Sequence, residues 1–248
     1  MRLDVLFGHQ QLASANVAGR VVAVIDVLRA STTIAVALAN GARAVVPFES
    51  SEEAVLRSKS FVRSDVRLAG ERKMHAIPGF DLGNSPREFT RAAVEGKTVL
   101  ITTTNGTVSL VAVQGARDVV VASYVNFSAV LAMLRAAARG GTDLAIVCAG
   151  RERQFSFEDA ACAGRYVAHV TKTIDGVDVN DAARACRLID ARYENDIARV
   201  FEESEHGRAL AEAGYADDLK MCAAVDSYSV VPIYADRQIT KLGPERER

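Results

Sequence analysis

Short runs of β-branched and apolar residues alternate with amphipathic stretches along this chain. Residues 21–26 (VVAVID) form an apolar run ended by an acid, the pattern of a strand buried on both faces. Residues 32–40 then predict a helix closed by Gly41. A second strand is expected over 42–47. A second helix follows over 51–58, with Ser50 or Ser51 as its cap and glutamates in its first turn. Further strands are predicted over 66–69, 97–102, 118–122 and 143–147. Further helices are predicted over 105–113, 128–139 (capped by Asn126) and 157–173. Residues 181–225 read as mostly helical, with interruptions near Tyr193, Ser204 and Gly214. A last strand is expected over 229–234 (SVVPIY), where Pro232 suggests a sheet edge. The segment 70–86 breaks the pattern. Glycines and prolines punctuate it, no period holds, and a functional loop is expected there. Ser85 and Pro86 predict a cap and first helical position, with the helix running to about Val94.

Strand–helix alternation with apolar strands predicts an α/β protein, its largely parallel sheets flanked by helices on both faces. One unit over 1–248 is expected, divided into lobes 1–95 and 96–225, with the strand at 229–234 packing back on one of them. Composition narrows the function classes. Thirty Lys and Arg against 31 Asp and Glu give a net charge of −1, which argues against a broadly basic nucleic-acid surface. No apolar run reaches the roughly 20 residues of a membrane span, and the N-terminus lacks the apolar core of a secretory signal. Cys148, Cys162, Cys186 and Cys222 form no CxxC pair, which argues against a structural zinc or a thioredoxin-type site. A cytoplasmic setting is expected, and a homodimer on the general frequency of twofold assemblies.

In parallel sheets ligands sit beyond the C-terminal strand ends, and three such ends carry unusual polar groups. The first is Asp26, followed by Arg29 and the hydroxyls of Ser31, Thr32 and Thr33 where a helix begins, the elements of an anion site. A plain helix cap beside a surface arginine reads the hydroxyls equally well. The second is Thr102, Thr103, Thr104, Asn105, Gly106 and Thr107, a turn able to cradle a phosphate or sulfonate with backbone amides, or simply a capped tight turn. The third is Arg151 and Arg153, followed by Glu158 and Asp159. The arginines suit an anion and the acids a metal, although neighbours on a helix point about 100° apart, so these two acids are not expected to face one ion. The loop adds Glu71, Arg72, Lys73, Asp81, Asn84 and Ser85. Carboxylates beside anion donors favour a hard cation such as Mg2+ with a small phosphorylated or sulfonated acid.

None of His9, His75, His169 and His206 pairs at metal-ligand spacing. His169 reads as structural and His75 as a surface imidazole. His206 lies in an RHG-like string in the wrong order. Walker A fails because Arg91 stands where its first glycine would be, and neither GxGxxG nor GxSxG occurs.

Taken together, VIDVLRASTT (24–33), GER (70–72), GNSP (83–86), TTTNGT (102–107) and CAG (148–150) with Glu158 and Asp159 resemble the 2-phosphosulfolactate phosphatase (ComB) family. The resemblance covers about residues 21–161, and the chain length also suits the family. It implies an α/β fold with two lobes and a Mg2+-dependent phosphatase that converts (2R)-2-phospho-3-sulfolactate to 3-sulfolactate and phosphate, a step of coenzyme M biosynthesis in methanogens. On that reading Asp26 is the first metal ligand, with Glu71 or Glu158 as a second. Asp159 orients the attacking water or acts as base. Arg29 and the turn from Thr103 to Gly106 stabilise phosphate oxygens, with Ser31, Thr32, Asn84 and Ser85 lining the substrate. Arg72 or Arg151 holds the sulfonate or carboxylate. Attack by Asp26 itself is the covalent alternative. A phosphatase of another small phosphorylated acid, or a non-catalytic anion-binding protein, are the rival functions.

Overall fold

The computed structural model describes residues 1–8, 12–152 and 154–243. The expectations placed on His9, Arg153 and the tail from residue 244 lie outside them. Eleven strands occur among these residues: β1 (Arg2–Phe7), β2 (Val21–Ile25), β3 (Ala44–Phe48), β4 (Val66–Arg72), β5 (His75–Ala76), β6 (Thr98–Thr102), β7 (Asp118–Ala122), β8 (Leu144–Cys148), β9 (Asp178–Val179), β10 (Pro232–Ala235) and β11 (Gln238–Lys241). They form one sheet in the order β5-β4-β6-β3-β11-β10-β7-β2-β8-β1-β9. The helices are α1 (Ser14–Val17), α2 (Ala30–Ala39), α3 (Ser51–Ser58), α4 (Arg91–Val94), α5 (Gly106–Ala112), α6 (Phe127–Arg139), α7 (Phe157–Thr171), α8 (Asp181–Tyr193), α9 (Ile197–Glu203), α10 (Glu205–Leu210) and α11 (Ala216–Cys222).

Every residue of β2, β6 and β8 is buried, which is why these strands read as unbroken apolar runs. Alternation along β2 divides two cores. Val21, Ala23 and Ile25 join the cluster containing α6, α7 and α8, whereas Val22 and Val24 join the one containing α2 and α5. The four cysteines are free and buried, and belong to the first cluster. Gly164 lets α8 cross α7 closely: a Cβ there would stand 2.0 Å from the Cys186 carbonyl oxygen.

The sheet is two largely parallel half-sheets, one edged by β5 antiparallel to β4, joined by an antiparallel hairpin. In one half β3 and β4 run parallel to β6. In the other, β7, β2, β8, β1 and β9 run parallel in succession. Between them β10 and β11 pair antiparallel with each other, with β7 and with β3. The division at residues 95 and 96 does not follow this order. Strands from both sides of it are interleaved in the sheet order. The 229–234 strand does not pack back on one lobe; it lies between the two halves. Pro232 is correspondingly not at an edge. It opens β10, and β7 pairs only with Ile233 and Tyr234, so no ladder bond is asked of the proline nitrogen.

Helix α3 starts as expected, with Ser50 Oγ accepting from the Glu53 amide at 3.2 Å. Other local expectations give way to long-range contacts. Ser85 does not cap a helix: a 3₁₀ turn follows over Pro86–Glu88, and Thr90 caps the short α4. Asn126 does not cap α6. Its amide donates to the carbonyls of Val121 and Val230 and accepts from the Ser123 amide, tying β7 to the chain entering β10. No helix among the described residues is long and apolar enough to cross a membrane.

Candidate active site

A cavity of about 170 Å³ opens beyond the C-terminal ends of β2, β4 and β6, lined by Asp26, Arg29, Glu71, Asn84, Thr104, Asn105, Arg151 and His206 among others. It is below the ~300 Å³ typical of drug-sized ligand sites, which suits a small molecule. Asp26 leaves the end of β2 with its carboxylate against the start of α5. A Cβ on Gly106 would lie 2.7 Å from Asp26 Oδ2 and 2.6 Å from the Ala30 Cβ, so only glycine fits there. Asp26 Oδ1 accepts from the Ala30 amide at 3.3 Å. Burial pushes the Asp26 carboxyl up to about 6, against the pull of His206 and the Ala30 N–H. The charges of Glu71 and Glu158 push in the same direction as burial.

The other acids are tied. Glu71 Oε1 accepts from the Thr104 amide at 2.8 Å and Oε2 from the Met74 amide at 2.9 Å, which clasps the β4 and β6 loops together. Asp159 Oδ1 accepts from the Val27 amide at 2.9 Å and Oδ2 from the Gly150 amide at 3.1 Å. With both oxygens on backbone, Asp159 joins the loops after β2 and β8 and does not line the cavity, contrary to the expectation of a base there. Burial holds its carboxyl well above the usual range, with Asp26 and Glu158 adding to that and the two N–H groups opposing it. Glu158 points elsewhere, as the helical spacing implies, and its Oε1 lies 3.1 Å from His206 Nδ1. Burial raises this carboxyl, but the hydrogen bond and charge of His206 bring it below its ordinary value.

Arg29 lines the cavity and is fixed on three sides. Nη1 donates to Asp218 Oδ2 at 2.7 Å, Nη2 donates to the Met74 carbonyl at 2.8 Å, and the guanidinium lies 4.1 Å from the Tyr215 ring centre. Ser85 Oγ donates to the second oxygen of Asp218 at 2.7 Å. Ser85 therefore serves the arginine's partner and does not face the cavity. The Ser31 and Thr32 hydroxyls donate to the backbone carbonyls of Asp26 and Val27, and Thr33 to that of Asn84. Thr103 and Thr107 bond reciprocally. These hydroxyls shape the turns and do not line the cavity. Arg72 also turns away, donating to Thr102 Oγ1 at 2.9 Å. Thr104 and Asn105 do line it, Asn105 with its Oδ1 accepting from the Glu152 amide at 3.1 Å.

Two buried polar atoms on the cavity wall have no hydrogen-bond partner among the described residues: Asn84 Oδ1 and Arg151 Nη1. Nη1 lies 3.0 Å from Glu205 Oε1, but the alignment is not that of a hydrogen bond, and the Glu205 side chain is exposed. Orphaned buried groups are uncommon and point to a missing ligand. The fold also brings His206, Tyr215 and Asp218 to the site, residues that the sequence does not mark for it. A string such as SEHGR (204–208) carries no signal of where its helix docks.

The family model described as 2-phosphosulpholactate phosphatase matches residues 7–237. The chain belongs to that family. A relative from Symbiobacterium thermophilum, named "Probable 2-phosphosulfolactate phosphatase", is 42% identical over 227 residues, 92% of this chain and 96% of its own length. One of the same name from Caldanaerobacter subterraneus subsp. tengcongensis is 41% identical over 211 residues, 85% and 86% of the two chains. A third, from Clostridium botulinum, is 34% identical over 244 residues, covering 98% of this chain and all of its own length.

In this member of the 2-phosphosulpholactate phosphatase family no cluster of three or more His, Cys, Asp or Glu ligands occurs among the described residues. Mg2+ needs only one or two carboxylates, with waters and a substrate phosphate completing its shell. Asp26 fits that need: it is buried, it faces the cavity, and Oδ2 has no donor within the described residues. Glu71 and Glu158, expected as second ligands, already hold partners.

Proposed function

We propose that the chain hydrolyses (2R)-2-phospho-3-sulfolactate to 3-sulfolactate and phosphate, with Mg2+ as cofactor. The observation that carries this reading is the pairing, in one small cavity, of a buried unpaired carboxylate with two arginines. Acids repel an anionic ester unless a cation stands between them, so Asp26 beside Arg29 and Arg151 fits an anion bound together with a metal ion. The match over residues 7–237 and the names of the relatives support the choice of substrate.

Asp26 holds the cation, which when bound supplies charge neutralisation at the phosphoryl oxygens. Arg29, already locked by Asp218, presents its remaining N–H groups to the phosphoryl group without reorganising during reaction. Arg151 offers Nη1 to the carboxylate or sulfonate of the substrate. Asn84 offers its amide, and an anion requires the nitrogen to face it, which is a rotation of one side-chain torsion. The Glu71 clasp keeps the loops after β4 and β6 at fixed spacing around the ligand.

The test is phosphate release from 2-phosphosulfolactate with Mg2+ and with EDTA, beside phosphoglycolate and phospholactate. Metal-dependent release that favours the sulfonate is expected. Release from only the other esters would keep the phosphatase and reject the substrate. Binding without turnover would leave a non-catalytic anion-binding protein.

A further inference from the structure

His206 lines the cavity and has no part in the scheme above. Ser204 caps α10, its Oγ accepting from the Gly207 amide at 2.9 Å, and this puts the imidazole at the first turn, over the cavity. Nδ1 is held by Glu158 Oε1 at 3.1 Å, and the two side chains are only 14% and 3% exposed. Nε2 has no partner among the described residues. A carboxylate on one ring nitrogen fixes both tautomer and orientation. A bridge serving only to dock α10 on α7 would not need a carboxylate this deeply buried, nor a residue that lines the cavity.

An alkyl phosphate ester leaves as an alkoxide, a strong base that must receive a proton as the bond to phosphorus breaks. The other protic groups on the wall are poorly suited. Arg29 does not release a proton. Glu71 has both carboxyl oxygens engaged by backbone N–H groups. Lys73 and Glu152 are exposed, and no hydrogen bond or ion pair among the described residues fixes either side chain.

We propose that His206 is the general acid of the reaction, a catalytic residue, and that Glu158 is its positioning residue. The inference rests on the phosphatase reading. Water oxygen forms the new bond to phosphorus while the phosphorus–ester oxygen bond breaks. The electron pair of that bond goes to the ester oxygen, which takes the Nε2 proton. Both protons of the attacking water leave on the phosphate, and one of them returns to Nε2, so the ring ends as it began. Glu158 keeps its bond to Nδ1 throughout.

Leaving-group dependence separates this role from a structural one. Acetyl phosphate is small and expels acetate, which needs no proton; the comparison substrate is whichever alkyl ester the wild type hydrolyses best. His206→Asn is expected to lower kcat on the alkyl ester by about 10²–10⁴-fold, the usual worth of general-acid catalysis, and to lose far less on acetyl phosphate. Glu158→Gln is expected to shift the ratio of the two rates in the same direction by a smaller factor. Retained acetyl phosphate turnover also shows that the variant is folded. Equal losses on both substrates, or no loss on the alkyl ester, would overturn the assignment. A wild-type chain inactive on every ester would instead refute the phosphatase reading, and this proposal with it.

Discussion

The cavity floor comes from loops at the ends of β2, β4 and β6, whereas the helical segment 204–222 contributes His206 to its wall and backs Arg29 with Tyr215 and Asp218. The floor is held by backbone: Glu71 on two amides, Asp26 on the Ala30 amide, and Asp159 on two more just behind it. The wall is held by side chains far apart in the chain. Arg29 reaches Asp218 across 189 positions, and Glu158 reaches His206 across 48. The floor therefore inherits its geometry from the sheet, while the wall depends on two buried side-chain contacts.

Removing the longer contact should have the largest effect. Arg29 and Asp218 are each 2% exposed, and stripping one partner from a buried pair costs about 3–5 kcal/mol. Asp218→Ala should lose that much in urea unfolding, and Asp218→Asn, which keeps an acceptor for Ser85, should lose less. An unchanged midpoint would show that the wall is tethered in some other way.

On the floor, Asp26→Asn should lower kcat by about 10²–10³-fold, roughly 3–4 kcal/mol, while leaving the fold intact. Its melting temperature should not fall, since the change removes a buried carboxyl that burial already drives toward its neutral form. Near wild-type turnover would remove Asp26 from the chemistry. Gly106→Ala should cost about 1–3 kcal/mol through overpacking and depress turnover as well, because the new methyl meets Asp26 Oδ2. A variant with the stability loss alone would show that Asp26 tolerates displacement.

The smallest effect concerns an acid outside both regions. Asp190 on α8 is pushed from 3.8 up to about 6 by burial, partly offset by Arg165, much as Asp26 is. The folded state then holds the proton more tightly than the unfolded chain, so stability falls as pH rises from about 4 to 6. Asp190→Asn should flatten that slope without changing turnover. Lost turnover would tie α8 to the cavity.

The same contrast explains what could be read from sequence. Asp26, Thr104 and Asn105 stand just past strand ends, where alternation of apolar runs and turns marks position directly, and Glu71 and Asn84 lie in the segment 70–86 that breaks the pattern. Within those motifs, hydroxyls that fold back on their own backbone look identical to hydroxyls that face a ligand, so Ser31, Thr32 and Thr103 were indistinguishable from site residues. Asp159 met the same ambiguity, since two backbone amides satisfy a carboxylate as well as a metal ion does. The first strand, β1, is hidden in the sequence because a charged residue, Asp4, interrupts its short apolar run. His206 and Asp218 gave no local sign at all, because their meaning lies in partners that only the tertiary structure supplies.

The hairpin of β10 and β11 bears on the order in which the molecule can be completed during synthesis. The facing edges of β3 and β7 belong to segments made early, yet the strands that cover them are residues 232–241. Until those last strands leave the ribosome, the nascent chain carries two half-sheets with bare inner edges, the kind of surface that recruits foreign strands. The final residues act as a keystone: a nascent chain stalled shortly before residue 232 holds nearly all of the site and has nothing to close the middle of its sheet.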